Sequence, residues 1–278
     1  MGGSSSWERS RRWMSYDSVA DTYQRVAVPW FTPMAHDLVS AVAPMPGEWV
    51  LDLGTGTGLV AALASVAVAP DGCVFGVDPS IGMLARVPAI ESLIPVAAMA
   101  PGLPFANAVF DVVVANLVLS HLPDLLRGLQ DVVRVMHSGA RLGCTAWASE
   151  VPAGPGNECP EADQIVALMR QRCGLDVTPP RETPVPFEDR LRDRDPLVNA
   201  LTDAGLVDLV TEQRHYHWSF AVDEFLSGWA SQSRYLRHVV GERQWGDFVQ
   251  RAAEALHDRF GDAISCINDA WVVTGRRR

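Results

Sequence analysis

Gly54, Gly56 and Gly58 stand at alternate positions between two apolar runs, Val50-Leu-Asp-Leu53 before them and Leu59-Val-Ala-Ala62 after. A strand that enters such a loop and leaves as a helix can hold a nucleotide. Glycine tolerates positive φ and lets a ligand lie against the backbone, while a helix start offers unpaired N–H groups and a positive dipole. Alone, the pattern fits a tight structural turn as well. Two carboxylates sharpen it. Asp52 precedes the first glycine by two residues, and Asp78, in Phe75-Gly-Val-Asp-Pro-Ser80, stands where the next strand should end, the place of a ribose-binding acid. Asp78 could otherwise cap a helix starting at Ile81. A dinucleotide fingerprint needs a last glycine where this chain has Leu59, and no Lys-Ser or Lys-Thr follows for a phosphate loop. A nicotinamide-dependent oxidoreductase is therefore disfavoured, and a nicotinamide titration would settle it.

Val50-Leu-Asp-Leu-Gly-Thr-Gly-Thr-Gly58 resembles motif I of the class I S-adenosylmethionine-dependent methyltransferases. Asp78-Pro79-Ser80-x-x-Met83-Leu84 is similar to the segment in which that family lays an apolar residue against adenine. Leu103-Pro104-Phe105, then Phe110-Asp-Val-Val113, has the family's spacing. Asn116 to Pro123 is similar to the fourth-strand exit, which in the family lines the methionine and substrate side. The resemblance covers roughly residues 47–148. It implies S-adenosylmethionine as cofactor and a Rossmann-like α/β fold, a seven-stranded, mostly parallel sheet whose last strand is antiparallel. It also implies cofactor contacts from Asp52, Gly54, Thr55, Gly56, Gly58, Asp78, Pro79, Met83, Met99, Ala100 and Asn116, with Tyr23 from an N-terminal segment that folds over the cofactor. One position departs from the pattern. Relatives carry an Asp four residues before the Leu-Pro-Phe run, and this chain has Met99 there, leaving the Ala100 N–H to reach the adenine.

The chemistry so implied asks mainly for in-line positioning, because a sulfonium methyl is already electrophilic. An oxygen or carbon acceptor also needs a general base, which an amine does without. His121, just beyond the fourth strand, is the candidate catalytic residue, with helix capping as its alternative role. Tyr16, Trp147, His217 and Tyr235 are candidate substrate contacts. His217 alternates with Tyr216 and Trp218 on a late strand, so it faces the pocket or the solvent together with His215. No metal site is expected.

These residues need a scaffold, and the pattern along the chain supplies one. Trp49–Leu53, Cys73–Val77, Ile94–Met99, Val109–Ala115 and Arg141–Ala148 read as strands, with helices over Leu59–Val68, Ile81–Arg86 and Leu122–Met136 between them. Alternating strands and helices argue a parallel, doubly wound sheet. A helix over Pro33–Val42 precedes them. The 149–195 stretch is rich in Pro, Gly and acids, with one helix near Ala162–Arg172. Pro196–Ala204 is helical with Gly205 as cap, Leu206–Trp218 a strand, 222–259 helical, and Ile264–Thr274 a last strand.

With 23 Arg plus Lys against 33 Asp plus Glu, the formal net charge of −10 disfavours a nucleic-acid substrate. Five scattered cysteines, none in Cys-x-x-Cys spacing, make a disulfide framework or zinc site unexpected and a reducing cytoplasm the default. No apolar run approaches the length of a membrane span. The reading is a lid segment over 1–32, a cofactor-binding core over 33–148, and a remainder over 149–278 whose insertions, 149–195 and 218–262, cap the sheet's C-terminal edge. Such a chain methylates a small organic acceptor, plausibly a specialised metabolite, at oxygen, carbon or nitrogen. The alternatives are a binder that uses the cofactor for a non-methylating reaction, and a protein or peptide methyltransferase. Self-association into a homo-oligomer stays open.

Overall fold

A computed structural model describes residues 14–17, 20–148, 159–175, 191–232 and 234–278 of the chain. Single helical turns at Met14–Asp17 and Ala20–Thr22 and a π-helical stretch at Tyr23–Ala27 lead into α1 (Val28–Val42). Then follow β1 (Trp49–Leu53), α2 (Leu59–Val68), β2 (Cys73–Asp78), α3 (Ile81–Leu84), β3 (Leu93–Ala97) and β4 (Phe110–Asn116). A 3-10 turn at Leu119–His121 precedes α4 (Leu125–Val135) and β5 (Met136–Trp147). The rest comprises α5 (Pro160–Arg172), α6 (Arg194–Asp203), β6 (Leu206–Ala221), α7 (Val222–Gln232), α8 (Arg234–Val240), α9 (Glu242–Phe260) and β7 (Ala263–Arg277). The sheet runs β3-β2-β1-β4-β5-β7-β6. β1 to β5 pair in parallel, and β7 joins β5 antiparallel, with Cys144 opposite Val273.

Successive residues of the central strands point to opposite faces, and both faces are apolar, as a sheet covered on two sides requires. Val50, Val112 and Val114 pack on Leu38 and Val42 of α1 and on Val60, Ala61 and Ala64 of α2. Leu51, Val113 and Ala115 pack the other way, on Leu125, Leu129 and Val132 of α4 and Leu197 and Leu201 of α6. At about 25 cal/mol per Å² of apolar surface removed from water, these two layers are the main stabilising contribution.

Among the boundaries that differ from the sequence reading, three stand out. α1 starts at Val28, five residues before Pro33. Pro29 sits in the first turn, where its missing N–H is one of the unpaired ones anyway, and the helix absorbs Pro33 in its interior. α4 starts at Leu125, because the Asp124 carboxylate caps it by accepting from the Arg127 N–H. β5 begins at Met136, paired to Phe110, and its register then shifts so that Arg141 faces Val112. A fourth correction concerns sulfur. Cys159 is disulfide-bonded, whereas Cys73, Cys144 and Cys173 are free thiols. Linear spacing carries no information on which thiols meet in space. The tail before Met14 and most of the Pro-rich part of 149–195 lie outside the described residues. Among the described residues no helix is long and apolar enough to cross a membrane.

The chain divides into two compact units. Residues 1–148, 185–214 and 270–278 make the first, which holds the doubly wound core. Residues 149–184 and 215–269 make the second. There α5 carries Glu161, which accepts from Arg259 of α9 at 2.6 Å, and Trp245 and Phe248 of α9 lie 5.5 Å apart between ring centres.

A clamp that spacing could not reveal fixes the Leu103-Pro-Phe run in the first unit. The Asp131 carboxylate accepts from the Gly102 and Leu103 N–H groups at 2.6 and 2.8 Å. Arg134 donates to Asp131 and to the Leu103 and Phe105 carbonyls. Burial alone would raise the Asp131 pKa, but the two backbone N–H groups and Arg134 outweigh it and hold the group below its ordinary value. Phe105 then stands edge-on to Phe110 and Phe75, at 4.9 and 5.5 Å. Arg134→Met leaves two carbonyls without their donors and is expected to cost about 1–3 kcal/mol of stability. A lowered urea midpoint at unchanged m-value checks it.

Candidate active site

The glycine loop leaves β1 between β2 and α2. Gly54, Gly56 and Gly58 all have positive φ, at 69°, 56° and 88°. At Gly54 a Cβ would lie 2.3 Å from a Val118 methyl and 2.7 Å from its Cβ, so this position has no room for a side chain. The N–H groups of Gly54 and Thr55 donate to the Val77 carbonyl, which ties the loop to β2. Gly58 is the N-cap of α2 and has no side chain to cap it; its own N–H donates to the Thr55 carbonyl at 2.9 Å.

Asp52 and Asp78 flank this loop. Asp78 ends β2 and accepts from the Gly56 N–H at 3.0 Å and from the Ser80 N–H at 2.8 Å, one on each oxygen. Burial raises its pKa and the negative charge of Asp17 adds to that, against the two N–H groups. Asp52 is buried and accepts from the Thr55 hydroxyl at 2.7 Å. Burial pushes its pKa up to about 7, the Thr55 hydroxyl and Ala61 N–H opposing and Asp78 assisting. Neither 50–62 nor 73–85 contains a Lys or Arg. An acidic cradle of this kind suits a positively charged nucleoside and repels a diphosphate.

The remaining candidate cofactor positions surround the loop. A Cβ at Gly56 would meet the Tyr23 ring at 3.8 Å, so Tyr23 lies over the glycines. Pro79 is half-buried and Met83, on α3, is buried at 2% exposure. Ala100 is fully buried beside the half-buried Met99, and the following Gly102 and Leu103 N–H groups are already taken by Asp131. Asn116, the last residue of β4, accepts from the Thr145 hydroxyl at 2.6 Å, and Thr145 in turn accepts from the Leu117 N–H at 2.9 Å. That bond holds Leu117 at a φ of 54°.

A small, partly open pocket lies where β4 and β5 end, lined by Leu117, Ser120, Thr145, Ala146, Trp147 and Leu191. Open α/β sheets bind ligands at this C-terminal edge. Trp147, a candidate substrate contact, is thus part of the cleft, and the Phe31 ring lies 6.3 Å from it and 6.0 Å from Tyr23. His121 follows Ser120 and is exposed; the Tyr16 ring meets it edge-on at 6.0 Å. Tyr16 and His121 are therefore brought together. His217 is different. It lies on the exposed face of β6, while Tyr216 and Trp218 take the buried face. Its neighbour on that face, His215, pairs with Asp269 at 2.7 Å. The alternation was legible, but which face was buried was not. Tyr235 lies on α8, its side chain outside the described residues.

Asp17 was missed by sequence reasoning. Its carboxylate accepts from the Ser80 hydroxyl at 2.6 Å and the Gly82 N–H at 2.7 Å, which hold its pKa below the ordinary value. The contact spans more than sixty residues, and no spacing signals it.

Residues 51–144 match a family described as a methyltransferase domain. Over 140 residues the chain is 35% identical to the aklanonic acid methyltransferase DauC of Streptomyces sp. (strain C5), which takes in 48% of this chain and 63% of that protein. It is 32% identical over 140 residues to a nocamycin O-methyltransferase of Saccharothrix syringae, 48% of this chain and 49% of the other. The match thus spans less than two thirds of either relative. The fold is similar to that of phosphoethanolamine N-methyltransferase 2 of Haemonchus contortus, solved in complex with S-adenosyl-L-methionine. That likeness has a TM-score of 0.56 at 16% identity and covers all of this chain and 61% of the other. At that identity it speaks for the fold alone.

Proposed function

We propose that this chain, whose residues 51–144 match a methyltransferase domain, is a class I S-adenosylmethionine-dependent methyltransferase that moves a methyl group from S-adenosylmethionine to an oxygen of a small, largely aromatic acceptor. One observation carries the reading. The Asp78 carboxylate is held by the Gly56 and Ser80 N–H groups at the mouth of the glycine loop. A small-molecule acceptor is supported by the names of two relatives, an aklanonic acid methyltransferase and a nocamycin O-methyltransferase, and its aromatic character by the Trp147, Phe31 and Tyr23 rings at the sheet edge.

Bound S-adenosylmethionine supplies an electrophilic methyl on its sulfonium. Asp78 would accept from the ribose hydroxyls with the lone pairs that its two backbone donors leave. Gly54, Thr55, Gly56 and Gly58 give the methionine end its backbone bed, with Asp52 adding negative charge beneath it. Pro79, Met83, Met99 and Ala100 bound the adenine side, and Tyr23 covers the loop. Asn116, fixed by the Thr145 hydroxyl, ends β4 beside the pocket residue Thr145. His121 would take the acceptor's proton, and Tyr16 and Trp147 would wall the acceptor.

The reading is tested by following methyl transfer from isotope-labelled S-adenosylmethionine to a panel of aromatic acids and phenols. Labelled product is expected. Binding with no transfer to any acceptor, and equal tolerance of S-adenosylhomocysteine, would instead support a non-methylating use of the fold. Asp78→Ala is expected to weaken cofactor binding by about 1–3 kcal/mol, read by calorimetric titration; unchanged affinity in a folded variant removes the ribose assignment.

A further inference from the structure

Asp17 Oδ1 accepts two hydrogen bonds, from the Ser80 hydroxyl and the Gly82 N–H. Ser80 is fully buried, and its hydroxyl also caps α3 by accepting from the Met83 N–H at 3.1 Å. The Ser80 N–H donates to Asp78. One serine therefore joins the N-terminal segment to the acid at the end of β2. Four residues on, Asp21 accepts from both Nε and Nη2 of Arg86 at 2.8 and 2.5 Å. Arg86 in turn donates to the Gly82 carbonyl at 2.6 Å.

Gly82 has an independent part in this contact. A Cβ there would lie 2.7 Å from Asp17 Cα and 2.9 Å from the Asp17 carbonyl oxygen. The backbone of α3 thus makes room for the backbone at Asp17. Further along, Tyr23 lies over Gly56, and on the other side of Asp17 the Tyr16 ring meets His121. The same short segment reaches the ribose end, the glycine loop and the proposed base.

We propose that Asp17 is a positioning residue: through Ser80 it sets Asp78 and docks the N-terminal segment, so that docking and cofactor binding are one coupled event. The proposal rests on the reading that S-adenosylmethionine sits beside Asp78. Asp17 and Asp21 are exposed, and ion pairs and hydrogen bonds of exposed groups hold weakly by themselves. The segment can therefore open to admit ligand, and a ligand that prefers the docked state shifts the population toward it.

Gly82→Ala removes the room for docking without altering any side chain at the loop, and Asp17→Ala removes the acceptor at an exposed position that threatens no core. In both, S-adenosylmethionine is expected to bind about tenfold more weakly, almost wholly through faster dissociation. Asp17→Asn keeps an acceptor oxygen and is expected to recover most of the affinity. Amide exchange at residues 20–27 should slow on cofactor addition in the parent and in Asp17→Asn, and not in the other two. If Asp17→Ala lowers thermal stability while dissociation and exchange match the parent, the contact is structural only and the proposal is overturned. A parent that binds no cofactor while Asp78→Ala behaves identically sinks the underlying reading instead, and the coupling with it.

Discussion

His121→Gln is expected to lower methyl transfer by about 10²–10⁴-fold, the usual contribution of a positioned general base, while cofactor affinity stays that of the parent. The side chain is exposed on a 3-10 turn past β4, so its replacement opens no cavity and leaves the sheet intact. Its neighbour Ser120 lines the cleft at the β4–β5 edge, and Tyr16 meets its ring edge-on, which limits the orientations open to it. A loss confined to kcat, with the cofactor KM unchanged, marks a group that acts on the acceptor's proton. Equal turnover in parent and variant excludes His121 as the base.

Asp52→Asn should reshape stability against pH. The native group titrates at about 7 against an ordinary 3.8, since burial disfavours its charge. Between these values the native state binds more protons than the unfolded chain, so stability falls as pH rises through this window. The difference corresponds to roughly 4 kcal/mol at about 1.4 kcal/mol per tenfold change. The asparagine has no charge to bury. Without cofactor it is expected to be the more stable protein at pH 8, by up to that amount, and to lose the advantage toward pH 4. A positively charged cofactor favours the carboxylate, so the parent should bind it more tightly at pH 8 than at pH 6, with a flatter profile in the variant. Urea titrations at several pH values check the first statement and calorimetry the second. Parallel stability profiles for the two proteins would show that Asp52 is not held protonated by the fold.

What could be read from the chain and what could not divide along the range of the interactions. The loop glycines were legible because their constraint is local, a positive φ at each of three alternate residues. Asp78 was legible because a strand end fixes its distance from the loop. The β1 to β5 core was legible because Val112, Val113 and Val114 must be apolar on both faces of a covered sheet. The clamp of Asp131 and Arg134 on the Leu-Pro-Phe run joins residues about thirty apart, with ordinary helix charges at both positions. Asp17 on Gly82 and the disulfide at Cys159 are also contacts made only once the chain has folded. His217 shows the limit of periodicity: alternation ties it to His215, but burial of Tyr216 and Trp218 decides that both look outward. Sequence also overstated Pro33 as a helix start, because Pro29 had already taken the first turn.

The central claim is that the acidic glycine loop holds S-adenosylmethionine, and direct calorimetric titration of the full chain with that compound tests it most directly. Saturable binding at one site per chain is expected, weakened in Asp78→Ala and tighter at pH 8 than at pH 6. No binding up to millimolar concentration, or binding of NADH in its place, would contradict it.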